Sequence, residues 1–256
     1  MKTIGKRGRF FALVARVLLL MVFFLVWEYM AAKKFVDPIM TGRPSGIARF
    51  FWNEFFVTGN LVAQLGWTLL AVSGAFILAS VLGLFVGMTF VTNPFLDAML
   101  NPIFTALNAM PRIALAPLFL LWFGLGISSK IAIGASLTFF IVFYSTLAGG
   151  RSVSQDHVVL ARTLGASGTQ MFRMFTLPSA VPVIFNGLKL GLMFSLFGVV
   201  GGELLASENG LGQTLALLAA AFNTDGVFAT IFVLSLVGVA FTSVMNTLEN
   251  HLLRWR

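Results

Sequence analysis

No cysteine occurs anywhere in the chain, which excludes disulfides, iron–sulfur clusters and thiolate metal sites without identifying a compartment. Charge is scarce as well: 10% of the 256 residues are Asp, Glu, Lys or Arg, where a soluble domain carries roughly 25%. Histidine is confined to His157 and His251, and no set of metal-ligating residues surrounds either in the sequence. A phosphate loop of the form G-x-x-x-x-G-K-[ST] is missing too, since the glycines at Gly165 and Gly168 are not followed by the lysine. No catalytic residue, metal site or bound nucleotide is therefore expected of this chain.

What fills the chain instead is hydrocarbon. Hydrophobic residues make up 58%, 28 of the residues are Phe, and the mean hydropathy is +0.94. These values define an all-α, polytopic membrane protein. A formal charge of +8 raises nucleic acid as a partner, but the placement of the basic residues excludes it. Lys2, Lys6, Arg7 and Arg9 precede the first apolar run, and Arg254 and Arg256 follow the last. Basic flanks hold both termini in the cytoplasm.

A helical span needs about 20 apolar residues, and six runs meet that requirement: 11–31, 63–90, 97–124, 130–149, 179–204 and 227–249. Six crossings return the C-terminus to the side of the N-terminus. Arg151, Arg162 and Arg173 then also lie inside, between spans four and five. The outer segment 32–61 is a partial exception, carrying Lys33, Lys34, Arg43 and Arg49 against Asp37 and Glu54. Its Pro44 and Ser45 lead into an aromatic stretch suited to a short helix lying on the membrane surface. A cleaved signal peptide is the other reading of the first run. Arg16 interrupts that run, Glu28 lies near its end and no small-x-small site precedes Lys33, so an uncleaved helix is expected.

Small residues mark where the helices approach closely, because lipid supplies no hydrophobic drive for association. Gly83 and Gly87 are one turn apart; Gly187, Gly191 and Ser195 form one ridge, and Gly198 and Gly202 a second. Packing within the chain is the expected use, with a subunit interface or pore lining as the alternative. Span three holds Pro102, Pro111 and Pro117, and irregular backbone at membrane depth is tolerated only beside protein or a water-filled cavity. A translocation path and a structural kink both fit Pro111 and Pro117. An ion-coupled secondary transporter would need charges near mid-membrane and repeated halves. No repeat is evident, and the charges in or near the spans are Arg16, Glu28, Arg112, Lys189, Glu203 and Glu249. Lys189 sits where its ammonium would snorkel to the cytoplasmic interface. Glu203 lies near the outer end of span five, where a helix partner, the binding protein and the substrate path are all open. Beyond it, residues 207–225 suit a short helix or re-entrant element, with Gly210 and Gly212 making a turn or, alternatively, touching substrate.

Between spans four and five the chain turns polar over about 151–178 and reads RSVSQDHVVLARTLGASGTQMFRMFTLP. A short helix is expected from about Gln155 to Leu164, a left-handed or tight turn at Gly165, and a second helix from Gly168 to Phe175 before Pro178. Val158, Leu164, Met171, Phe172 and Phe175 supply apolar anchors, and Arg162 and Arg173 supply charge at the edge. Such a knob suits a helix offered to a partner's groove.

The run ARTLGAS from Ala161 to Ser167, followed by Phe172 and by Leu177 and Pro178, resembles the EAA loop of ABC importer permeases. Val159 and Leu160 replace that loop's opening glutamate and alanine, and with them goes any salt bridge the glutamate would make. PRIALAPLFLLWFGLG from Pro111, RSVSQDHVVLARTLGAS from Arg151 and ELLASENGLGQTLALLAAAFNTDGVFATIFVLSLVG from Glu203 extend the resemblance, in order and spacing, to the nitrate/sulfonate/taurine class.

The resemblance implies a type I importer permease fold, one transmembrane domain over residues 1–256, and a multi-pass place in the bacterial inner membrane. Its implied partners are two cytoplasmic ABC ATPase subunits, which use ATP and Mg, a second permease forming a homodimer, and an extracytoplasmic substrate-binding protein. Its implied cargo is a sulfonate, nitrate, thiamine precursor or similar small nutrient. Ala161, Arg162, Leu164, Gly165, Ala166, Met171, Phe172, Leu177 and Pro178 would form the ATPase-coupling element, while Pro111, Pro117, Glu203, Gly210 and Gly212 belong to the path or the outer face. A Gly165→Trp variant is therefore expected to insert normally but to lose transport and ATPase association; unchanged uptake in that variant would sink the coupling assignment.

Overall fold

A computed structural model describes residues 6–35, 37–153, 159, 161 and 163–253. Helix follows helix, with no strand among the described residues: α1 (Lys6–Ala32), α2 (Pro38–Thr41), α3 (Pro44–Trp52), α4 (Asn60–Thr92), α5 (Pro94–Ala109), α6 (Ala116–Phe123), α7 (Ile127–Gly150), α8 (Gly168–Met171), α9 (Leu177–Leu205), α10 (Leu211–Ala220) and α11 (Thr224–Leu252). Five stretches are long and apolar enough to cross a membrane singly: Phe11–Ala32, α4, α7, Gly168–Leu205 and α11.

The continuous span expected over 97–124 is not formed. In its place stands a pair of helices, Pro94–Ala109 and Arg112–Phe123, bent by 80°. Pro111 is the cause: a proline excludes the helical region for the residue before it, and Met110 is extended at φ −69° and ψ 137°. A 3₁₀ turn, Arg112–Leu115, restarts the chain, and Pro117 falls in the first turn of α6, where a missing N–H breaks no bond. Span five also begins earlier than the expected 179. A π turn at Phe172–Thr176 joins α8 to α9, so the chain is helical from Gly168 to Leu205. Pro178 does not end it, because its absent donor falls at the junction where the hydrogen-bond register already changes from the π to the α pattern.

Two compact units are distinguished, one of Ala63–Gln213 with Leu234–Arg256 and one of Met1–Val62 with Thr214–Val233. In the first, α7 is the shared neighbour of α4 and α9. A Cβ on Gly83 would lie 3.0 Å from the Phe139 carbonyl, and one on Gly87 would lie 2.7 Å from Thr146 Cβ. From the other side, Gly187 meets Ser145, Gly191 meets Val142 and Thr138, Gly198 meets Gly134 and Gly202 meets Ile133. Both small-residue ridges thus pack within the chain. Buried hydroxyls tie the same helices: Thr138 Oγ1 donates to the Gly191 carbonyl at 3.0 Å and Ser195 Oγ to the Val72 carbonyl at 3.0 Å. Ala71, Val72, Ala75, Leu192, Leu196, Val199 and Val237 fill the core between them. Phe90, Phe143 and Leu147 form a second cluster with Phe104 and Phe139 against it.

The other unit shows why Glu28 stands near the end of the first span. Its carboxylate accepts the Ser45 amide at 3.0 Å and the Ser45 hydroxyl at 2.8 Å, while Asp225 accepts the Arg43 amide at 2.7 Å. Two carboxylates from other helices thereby satisfy amides at the start of α3, whose own N-cap residue, Arg43, supplies no side-chain acceptor. The α3 helix is the expected surface helix. It continues as a π turn, Asn53–Val57, and leaves Trp52, Phe56 and Val57 exposed.

Gly198→Val would force a side chain into the Gly134 backbone, 2.8 Å from where its Cβ must go, whereas Gly238 has no atom within 4 Å. The expected cost is about 1–3 kcal/mol for the first substitution, seen as a lower thermal midpoint of the detergent-solubilised chain, and little change for Gly238→Ala.

Candidate functional site

Two places concentrate polar chemistry: the loop before α9 and the C-terminal end of α9. In the loop, Arg162 lies outside the described residues, as do His157, Val158 and Leu160 of the same stretch and the terminal Lys2, Arg254 and Arg256. Val159, Ala161 and Thr163 are helical, and Thr163 Oγ1 donates to the Val159 carbonyl at 3.0 Å. Gly165 has φ +77°, the left-handed conformation expected of it. The Ala166 amide donates back to the Ala161 carbonyl at 3.0 Å, the six-to-one bond of a Schellman turn, and Ala161 beneath it is 2% exposed. The next helix starts at once. Ser167 Oγ accepts the Gln170 amide at 3.3 Å, and Gln170 Oε1 accepts the Ser167 amide at 2.8 Å. This reciprocal cap was legible as S-x-x-Q at 167–170 and was missed.

The apolar face differs in part from the expected anchors. Leu164 is 78% exposed, but Met171, Phe172 and Phe175 are half-buried. Met174, passed over in the sequence, is 66% exposed, and Val159 is exposed with it. Met174 lies within the π turn at Phe172–Thr176. Leu177 and Pro178 are exposed at the start of α9. No atom lies within 4 Å of a Cβ built on Gly165, so the chain itself does not crowd that position.

At the C-terminal end of α9, Glu203 is 1% exposed. Its carboxylate takes the Thr68 hydroxyl at 3.0 Å and the Gly212 amide at 2.8 Å. Thr68 Oγ1 in turn accepts the Leu211 amide at 2.8 Å, and Gln64 Oε1 accepts the Gly210 amide at 2.6 Å. Lys130, equally buried on α7, donates to the Asn209 carbonyl at 2.5 Å and lies within electrostatic reach of Glu203 and Glu208. The carboxylate sits against the first amides of α10, where the helix dipole favours negative charge. Of the roles left open for Glu203, the structure shows the helix partner: it binds α4, α9 and the start of α10 into one knot. Gly210, at φ +117°, and Gly212 are held by it, since a Cβ on them would fall 2.1 Å and 2.6 Å from Glu203 atoms.

Elsewhere, Lys189 is ion-paired with Glu249 of α11, both half-buried. Its charge is met inside the chain instead of snorkelling alone. Pro111 and Pro117 bracket the restart of the broken span, a feature separate from the Glu203 knot.

A helical membrane chain with a bent helix pair ahead of α7 and a capped polar loop ahead of α9 has the permease fold of type I ABC importers. A structure of the methionine ABC transporter MetNI, inward facing, matches with a TM-score of 0.65 at 19% identity, covering 75% of this chain and 95% of that one. The chain belongs to the family of binding-protein-dependent transport system inner membrane components, which matches residues 79–254. Similar to it are the formylaminopyrimidine transport permease protein ThiX of Halalkalibacterium halodurans, 36% identical over 74% of this chain and 76% of that one, and the putative aliphatic sulfonates transport permease protein SsuC of Bacillus subtilis, 31% identical over 94% and 87%. The taurine transport system permease protein TauC of Escherichia coli is 30% identical over 92% and 87%. The chain is thus a multi-pass permease component of an ABC importer, a transport subunit and not an enzyme, and the secondary-transporter alternative gives way.

Glu203→Ala would strand the Gly212 amide, the Thr68 hydroxyl and the Lys130 charge, at an expected cost of about 3–5 kcal/mol. Glu203→Gln, which keeps an acceptor for Gly212, should cost less. Thermal melting of the purified chain in detergent orders the two.

Proposed function

We propose that two copies of this chain, each a single permease domain over residues 1–256 with both termini in the cytoplasm, form the translocation path of an importer driven by two separate ATPase subunits. The ATPase subunits bind ATP and Mg, and an extracytoplasmic binding protein delivers the solute. The observation that carries the coupling role is the Schellman turn at Gly165 with Leu164 and Met174 projecting from either side of it. A short, capped, apolar knob is rigid enough to transmit movement and greasy enough to need a groove. Ala161 forms its buried base and Ala166, Met171 and Phe172 its body, with the charge of Arg162 as a further contact expected of the same loop. Leu177 and Pro178 join it to α9, so ATPase closure would move α9 and, through Glu203, the outer knot on the same helix. That linkage is the physical basis for alternating access.

The relatives carry the names of a formylaminopyrimidine, a sulfonate and a taurine system, which supports a small polar organic nutrient as cargo. Pro111 and Pro117 fit the path because a broken helix at membrane depth needs protein or water beside it.

Purification from native membrane in mild detergent, with mass spectrometry and an ATPase assay of what stays bound, tests this reading. An ATPase should co-purify, and the double variant Leu164→Glu with Met174→Glu should weaken its binding by about 100-fold, as expected for removing two exposed apolar anchors. A monodisperse chain with no ATPase, and uptake driven by an ion gradient after reconstitution, would overturn it.

A further inference from the structure

The broken span carries a polar face that neither coupling nor the outer knot uses. Asp97, Asn101, Thr105 and Asn108 follow one another at helical spacing along α5, within about 80° of its circumference. The opposite face presents Met99 and Ile103, both exposed and apolar. Thr105 and Asn108 are exposed, Asp97 and Asn101 half-buried. Polar groups bare to hydrocarbon are costly, so this face requires water or protein against it.

The charges on the stripe are not balanced along its length. At one end Asp97 accepts Asn101 Nδ2 at 2.9 Å and is ion-paired with Arg151. Midway, the Thr105 hydroxyl and the Tyr144 hydroxyl share a hydrogen bond of 3.3 Å. At the other end, just past the break, stands Arg112. Its Nη2 donates to the Asn108 carbonyl at 2.9 Å, to Asn108 Oδ1 at 2.6 Å and, more weakly, to the Leu107 carbonyl at 3.4 Å. Its guanidinium lies 4.2 Å from the centre of the Phe140 ring. The ion pairs among the described residues are Arg151–Asp97 and Lys189–Glu249, so no carboxylate neutralises Arg112. The bonds it makes to described residues all run through Nη2, whereas a guanidinium carries five N–H donors in a fork matched to planar or tetrahedral anions.

We infer that the Asn101–Thr105–Asn108 face of α5 lines the aqueous route and that Arg112, at its end, is a cationic binding site for an anionic group of the solute, of the sulfonate, carboxylate or phosphate kind. This rests on the permease reading. Asn108 and Phe140 hold the guanidinium in place, and Asn101, Thr105 and Tyr144 offer hydrogen bonds below it as the solute passes. Holding the ends of α5 is a second task of the same side chain, because its bonds to the last carbonyls of that helix cap it.

The absence of cysteine makes the test clean. In membrane vesicles of both orientations containing the full chain, Asn101→Cys, Thr105→Cys, Met99→Cys and Ile103→Cys are reacted with an anionic methanethiosulfonate bearing a sulfonate and a cationic one bearing trimethylammonium. Rates are normalised to a free thiol in solution. Positions 101 and 105 should react, and 99 and 103 should not. The anion-to-cation rate ratio at 105 should fall about tenfold when Arg112→Gln is added and stay within about threefold for Arg112→Lys, the size expected from removing one nearby unit charge in a partly aqueous site. No reaction at 101 and 105, or a ratio that Arg112→Gln leaves unchanged, overturns the proposal; equal ratios in the Gln and Lys variants reduce Arg112 to a helix cap and overturn it as well. Failure of an ATPase to co-purify would strike the importer reading alone, since labelling needs no ATPase.

Discussion

Close backbone contact around α7 is the constraint on which the larger unit depends. In lipid there is nothing to gain by hiding one apolar helix against another, so association rests on dispersion contact and on hydrogen bonds between helices. Glycines supply both here. Without side chains at Gly83, Gly87 and Gly198, α4 and α9 reach the α7 backbone, Gly202 makes room for the Ile133 side chain, and Thr138 finds the Gly191 carbonyl within hydrogen-bond range. The second Phe cluster fills what remains beside α5.

That scaffold fixes where polar groups can be afforded. Glu203 is tolerable at 1% exposure because Thr68, Gly212 and the nearby Lys130 reach it from three directions. Lys189 and Glu249 neutralise each other, as do Arg151 and Asp97. Arg112 is half-buried and held by carbonyls and a ring, with no ion pair to a described carboxylate. The role proposed for this guanidinium is to receive an incoming anion.

The loop before α9 is held differently. It is stiffened by local devices, a left-handed glycine and a reciprocal Ser167–Gln170 cap, instead of by burial. Rigidity of that kind lets Leu164 and Met174 stay exposed while remaining in fixed positions. The π turn runs into α9 without a break, so the loop and Glu203 share one continuous helical stretch from Gly168 to Leu205.

Much of this was legible before any coordinates. Hydropathy located the five long apolar helices and the run that forms the bent pair, the stretch after Pro44 marked a short helix, and a glycine between two short polar helices announced the turn at Gly165. Those features are local: they follow from the length of apolar runs, from the conformational range of glycine and from capping chemistry within four residues. Other features were decided only by tertiary structure. The 80° break was foreshadowed by Pro111, but its size depends on what the restarted helix packs against. The partners of Glu203 are 135 residues away at Thr68 and nine away at Gly212, and Lys189 finds Glu249 at a distance of 60. Met174 is exposed where Met171 is half-buried, a difference that residue type does not mark. A sequence shows which polar groups have entered the membrane; only the packed helices show which of them meet a counter-charge, because that pairing is made across space between segments that share no local signal.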